Sequence, residues 1–142
     1  TPLPRLYREA PVNSIWEGSG NVICLDVLRA VEREPAAVDA LAAELALARG
    51  GNADLDRHAQ ALLAALSRAT PAPAPHEARR VAQAIATALA AATLVRAAPA
   101  FVADAYCASR LAPAPYAGGA FGGALSSTID TRAIVARARG PG

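Results

Sequence analysis

From Ser19 to Glu34 apolar residues recur three and four apart, at Val22, Leu25, Leu28 and Val31, with Ile23 and Val27 alongside, while Asp26, Arg29, Glu32 and Arg33 take the other side. A helix puts residues so spaced on one face, so the chain must bury an amphipathic helix that Pro35 stops or kinks. The period continues through Val38, Leu41, Leu45 and Ala48 into a second helix that ends at Gly50 and Gly51, the usual stop signal. Asn52 or Asp54 can cap a third, carrying Leu55, Leu62, Leu63 and Leu66.

TPAPAP, Thr70 to Pro75, cannot be helical throughout, because alternating prolines remove donors and push the intervening residues toward extended geometry. Helices of one character flank it, which makes it a stiff connector and not a domain boundary. The longest helix is predicted from His76 to Ala98, with Val81, Ile85, Leu89 and Ala92 toward the core, and a fifth from about Pro99 to Leu111. A proline- and glycine-rich loop, APAPYAGGAFGG, leads to a short final helix from about Thr131 to Arg139. Hydrophobic residues make up 54% of the 142 but aromatics only 4%, because alanine, the residue that enters a helix at least cost, carries most of the apolar count. The length allows one domain, or one and part of another. We therefore expect an all-α fold, a helical bundle of about six helices without strands or internal repeats, whose alanine-dense faces let helices approach closely.

No apolar run approaches the ~20 residues that cross a bilayer, and the opening TPLPRLYREAP lacks the continuous apolar core of a signal peptide. A soluble, cytoplasmic protein with no membrane partner is the expectation. Cys24 and Cys107 fall on different predicted helices with no second thiol or histidine at ligand spacing, so buried reduced thiols are expected, with a disulfide the lesser reading, and no metal site. His58 and His76, among polar neighbours near helix starts, are expected to be solvated. Phe101 and Tyr106 are expected in the core, and Tyr7, Tyr116 and Phe121 over the end of the bundle.

The formal charge of +2 hides an asymmetry. Through Asp56 there are five arginines against nine carboxylates, and from Arg57 onward nine arginines against three. Arg79, Arg80, Arg96, Arg110, Arg132, Arg137 and Arg139 could form a surface that neutralises nucleic-acid phosphates, which needs placed positive charge but no base reading. A solvated or ion-paired helical surface is the plainer reading. Every basic residue is arginine, which a GC-rich genome explains equally well.

WEGSGN, Trp16 to Asn21, sets a carboxylate on a turn directly before a helix N-terminus. Unpaired N–H groups there, with glycines that admit close approach, suit an anion or pyrophosphate. Alternatively, Glu17 could take a proton from a carbon acid if a dry pocket raised its pKa. An ordinary helix start is the third reading.

The longer string RLYREAPVNSIWEGSGNVICLDVLRA, Arg5 to Ala30, resembles the carboxyl-terminal signature of flavin-dependent acyl-CoA dehydrogenases, and its NSIWEGSGN form is similar to the AidB-like branch linked to the DNA alkylation response. PAFVADAYCASRL, Pro99 to Leu111, and the YAGGAFGG loop resemble the additional helical region of that branch. The resemblance implies that residues 1–34 end the acyl-CoA dehydrogenase carboxyl-terminal helical domain and 35–142 form the additional region. It implies Glu17 as the catalytic base of α,β-dehydrogenation. Gly18, Ser19, Gly20 and Asn21 would contact FAD, Asn21 foremost through its side chain, with Trp16 flanking the pocket. Ser19 and Trp16 stand where common dehydrogenases have threonine and tyrosine, and the indole would narrow the acyl pocket. The family's pockets also need an amino-terminal helical domain, a middle β-domain and the rest of the bundle. The implied partners are thus the other domains of a parent chain, an acyl-CoA and, in this branch, duplex DNA, within a homo-oligomer of the parent; a portion of that kind, opening on Thr1 and not methionine, would hold neither FAD nor activity alone. Two alternatives accompany this reading: a DNA-binding flavoprotein module with vestigial dehydrogenase chemistry, and a structural helical domain that builds the oligomer.

Overall fold

The computed structural model describes residues 3–14, 20–67, 74–112 and 128–139. Among them are seven α-helices and no strand: α1 (Leu3–Glu9), α2 (Gly20–Arg33), α3 (Pro35–Ala46), α4 (Ala53–Ser67), α5 (Ala78–Ala97), α6 (Ala100–Arg110) and α7 (Thr131–Arg139). The all-α bundle expected from the apolar period is what forms. Two short 3-10 helices, Ala10–Ser14 and Pro75–Glu77, complete the described secondary structure.

Proline and glycine set the breaks. Glu34 leaves helical geometry at φ −126° and ψ 80° although its N–H still reaches the Ala30 carbonyl, and Pro35 opens α3 at the first-turn position where its missing N–H costs nothing. α3 then tightens over Leu47–Arg49 into bonds three residues back and stops at Gly50, whose φ of 80° is the left-handed conformation that glycine adopts without strain. Gly51 is required for a different reason: a Cβ there would lie 2.4 Å from Val95 Cγ1, so the α3–α4 turn rests directly on α5. Asn52 caps α4, its Oδ1 accepting the N–H groups of Asp54 and Leu55 at 3.0 and 3.3 Å.

α5 is the centre of the bundle, packed on α2, α3, α4 and α6, while α7 rests on α6. Its inward stripe is small: Ala78, Val81, Ala88, Ala91 and Ala92 are all buried, and three of these alanines have at most 1% of their surface exposed. Leu28, Leu45, Leu55, Leu62, Leu66, Cys107 and Leu111 close around that stripe. Burial of each such leucine contributes about 1.5–3 kcal/mol. Polar ties hold the same neighbours. His58 Nε2 lies 3.2 Å from the Ala84 carbonyl, Asn52 Nδ2 donates to Asp104 Oδ1 at 2.9 Å, Arg57 Nη2 donates to the Leu111 carbonyl at 3.2 Å, and Arg96 pairs with Glu44 at 2.5 Å.

Several expectations are corrected. α1 adds a helix to the predicted six: Pro4 sits in its first turn, where proline is tolerated, and the Arg5–Glu9 pair supports it one turn apart. It buries no residue, which is why apolar periodicity does not reveal it. Tyr7 is accordingly 82% exposed. Phe101 is exposed on the first turn of α6, whereas Tyr106 packs against the core as expected. His58 is half-buried and bonded across to α5 instead of solvated. The helix expected to open at His76 begins at Ala78, because the Glu77 carboxylate accepts the Ala74 N–H and closes a tight turn first. Arg80 and that N–H hold the Glu77 carboxyl below its usual range. Tyr116, Phe121 and most of the TPAPAP and APAPYAGGAFGG stretches lie outside the described residues.

Candidate functional site

Gly20 and Asn21, the first two residues of the fourteen-residue helix α2, are exposed. α5 runs alongside α2 and brings Arg79, in its own first turn, to the same end. Arg79 Nη2 donates to Asn21 Oδ1 at 2.5 Å and stands 3.9 Å from where a Gly20 Cβ would be. The two residues are 58 positions apart in sequence. Beside them lies a cleft of about 510 Å³ lined by Asn21, Cys24, Leu25, Pro75, His76, Ala78 and Arg79.

A helix terminus, a guanidinium and an amide at one corner form a donor-rich site, suited to phosphate or carbonyl oxygens. Of the residues that the sequence motif implies for a flavin contact, Gly20 and Asn21 are described. Trp16, Glu17, Gly18 and Ser19 lie outside the described residues.

The remaining candidate arginines are spread over three helices. Arg80 is paired with Glu77 and Arg96 with Glu44, about 24 Å apart along α5 at 1.5 Å per residue. Arg110 ends α6, exposed. Arg132, Arg137 and Arg139 are exposed on α7, and among the described residues none of the three has a carboxylate within ion-pair distance. Arg132 and Arg139, seven residues apart, flank Val135 and Ala136 along a shallow depression. The two thiols are free and differ in setting: Cys24 lines the cleft half-buried, and burial pushes the Cys107 thiol up to about 11. Among the described residues no three histidine, cysteine or carboxylate side chains cluster as a metal would need, and no helix is long and apolar enough to cross a membrane.

Sequence reasoning missed the conjunction of Arg79 with Asn21. No local signal could have supplied it, since only the packing of α2 on α5 joins residues so far apart.

Over 55 residues the chain is 53% identical to the protein named "Putative acyl-CoA dehydrogenase AidB" of Escherichia coli (strain K12). Over that stretch the chain is similar to AidB. The match takes in 39% of this chain and 10% of AidB, so the chain spans about a tenth of the length of the curated relative it matches. No family model matches the chain. No solved structure matches it either. The similarity to AidB therefore supports an acyl-CoA dehydrogenase-like relationship for the matched stretch.

Proposed function

We propose that this chain is the carboxyl-terminal helical part of an FAD-dependent, AidB-like acyl-CoA dehydrogenase that works in the cytoplasm as a homo-oligomer. The observation that carries the reading is the 53% identity to AidB over 55 residues, supported by the WEGSGN motif. In the intact parent, Glu17 takes the α-proton of an acyl thioester and becomes a neutral carboxylic acid, the β-hydrogen departs as hydride, and a carbon–carbon double bond forms between the two carbons. When bound, FAD supplies the acceptor for that hydride. Asn21 and the opening of α2 hold the flavin in place, and Trp16 narrows the space for the acyl group. Residues 1–34 finish the catalytic domain and 35–142 form the additional helical region.

The test is anaerobic mixing of the flavin-loaded full-length parent with straight and branched acyl-CoA thioesters while the visible flavin band is followed. Bleaching is expected with at least one thioester, and Glu17→Gln is expected to slow it by about 10²–10⁴-fold. No bleaching with any thioester would overturn the dehydrogenase reading.

One observation favours a second reading, a DNA-binding flavoprotein module of the alkylation response with vestigial dehydrogenase chemistry. Arg132, Arg137 and Arg139 project from α7 without carboxylate partners among the described residues. Duplex phosphates are the partner such a helix fits.

A further inference from the structure

Between α2, α3 and α5 runs a groove of about 380 Å³ whose floor is apolar, with Val27, Val31, Val38, Leu41, Ile85 and Leu89 all half-buried along it. Its polar groups are carboxylates, one toward each end of α3. Glu44 lines the far end; Arg96 holds its Oε1, and the exposed carboxylate stays open to a second cation. Glu34 stands at the near end. It follows Val27, Ala30 and Val31 at seven, four and three residues, and its N–H still reaches the Ala30 carbonyl at 2.9 Å, so it shares their side of α2. Glu34 is exposed, and among the described residues no arginine pairs with it. The α7 helix carries the complement of this pattern. Ala133 and Ile134 are half-buried where α7 rests on α6, and Arg132, Val135, Ala136 and Arg139, three, four and seven residues apart, share the opposite, exposed face. That face is apolar in the middle and cationic at each end. Its arginines are about 10.5 Å apart along the axis and the two carboxylates about 15 Å apart along α3, a difference that two arginine stems can span.

We propose that the outward face of α7 docks in this groove on a second copy of the chain, with Val135 and Ala136 on the apolar floor and Arg132 and Arg139 paired with Glu34 and Glu44. The groove is walled by α2 and α3 while α7 rests on α6, so a copy cannot fill its own groove without taking α7 off α6. One copy gives the helix and the other the groove, which makes the contact head-to-tail, repeated around a ring or along a filament. Duplex phosphates would account for the two arginines but not for the exposed Val135 and Ala136 between them, and the same face cannot serve both partners at once. The contact rests on the homo-oligomer reading and specifies one of its interfaces. It does not depend on the dehydrogenase chemistry.

The experiment is disulfide trapping in the full-length parent carrying Ala40→Cys in the groove and Val135→Cys on α7, read on non-reducing gels after mild oxidation, with each single variant as control and sedimentation and urea unfolding alongside. The double variant should form covalent dimers and a ladder above them, and the single variants should not. Glu34→Lys added to the double variant should slow trapping about tenfold while leaving the unfolding midpoint unchanged. Adding Arg132→Glu or Arg139→Glu to that variant should restore the rate in one case of the two, the one whose residue faces position 34. A parent that sediments as an oligomer yet forms no ladder would overturn the contact and leave the homo-oligomer reading intact; a parent that sediments as a monomer would overturn both. A disulfide closed within one chain would overturn it by returning α7 to its own groove. Absence of a ladder together with salt-dependent binding of a labelled duplex that Arg132→Gln/Arg139→Gln abolishes would overturn it in favour of nucleic acid on that face.

Discussion

Cys107 has no exposed surface, and burial, reinforced by the negative charges of Asp104 and Asp54, raises its thiol from 9.0 to about 11. The fold therefore favours the protonated thiol, and the unfolded chain ionises first. The stability this represents is fully present below the unfolded value and is lost as pH rises from about 9 toward 11, a loss of roughly 2–3 kcal/mol. Urea midpoints across that range should fall steeply for the wild type and less so for Cys107→Ala; equal slopes would remove the thiol from the account. In native conditions a thiol-alkylating reagent should label the half-buried Cys24 and spare Cys107 until the chain unfolds. The sequence makes the pair's chemistry legible, since neither cysteine has a partner at ligand spacing. It does not separate them, because the difference lies in which turn of each helix meets the core. His58 illustrates the same limit: its polar neighbours suggest solvent, yet the α4–α5 packing puts a backbone carbonyl within reach of its ring.

At the scale of elements, α5 works because its inward residues are small. Ala88 and Ala91 are wholly buried, and Ala92 nearly so, on a helix that packs against four others. A leucine at 88 or 91 has no space without moving a helix, and overpacking of this kind costs about 1–3 kcal/mol. Ala86→Leu, on the exposed side of the same helix, should change stability by no more than about 0.5 kcal/mol. Equal urea midpoints for Ala88→Leu and Ala86→Leu would show that the helices are not close-packed there. Apolar period predicts that α5 exists and nearly where it ends, but places the core face on Val81, Ile85, Leu89 and Ala92. Ile85 and Leu89 line an apolar groove of about 380 Å³ between α2, α3 and α5, and the deepest positions are alanines. Alanine marks no face in a chain where it stands on every face, so its burial follows from packing and not from pattern. α1 shows the converse, a helix held by local propensity and one ion pair that buries nothing and so leaves no periodic trace.

For the whole molecule, charge is the property most visible in the sequence and least resolved by it. The acidic first part and basic remainder are plain from the order of residues, yet ion pairs balance some of the candidate cations, as Arg96 with Glu44 and Arg80 with Glu77. The α7 arginines are the exception among the described residues, and they sharpen the DNA-binding reading into a number. Each phosphate neutralised releases counterions, so the logarithm of affinity falls with the logarithm of salt by about 0.9 per contact. If α7 lies against duplex backbone in the full-length parent, replacing Arg132, Arg137 and Arg139 together by glutamine should shallow that slope by up to about 3. It should also weaken binding alike on unrelated duplexes, because phosphate contacts carry no sequence. Arg96→Gln, which removes a charge already balanced by Glu44, should change the slope far less. Fluorescence anisotropy of labelled duplexes across a salt series reads all three. A flat salt dependence in the wild type, or a triple variant with an unchanged slope, would take α7 out of any nucleic-acid interface and leave its arginines as a solvated face.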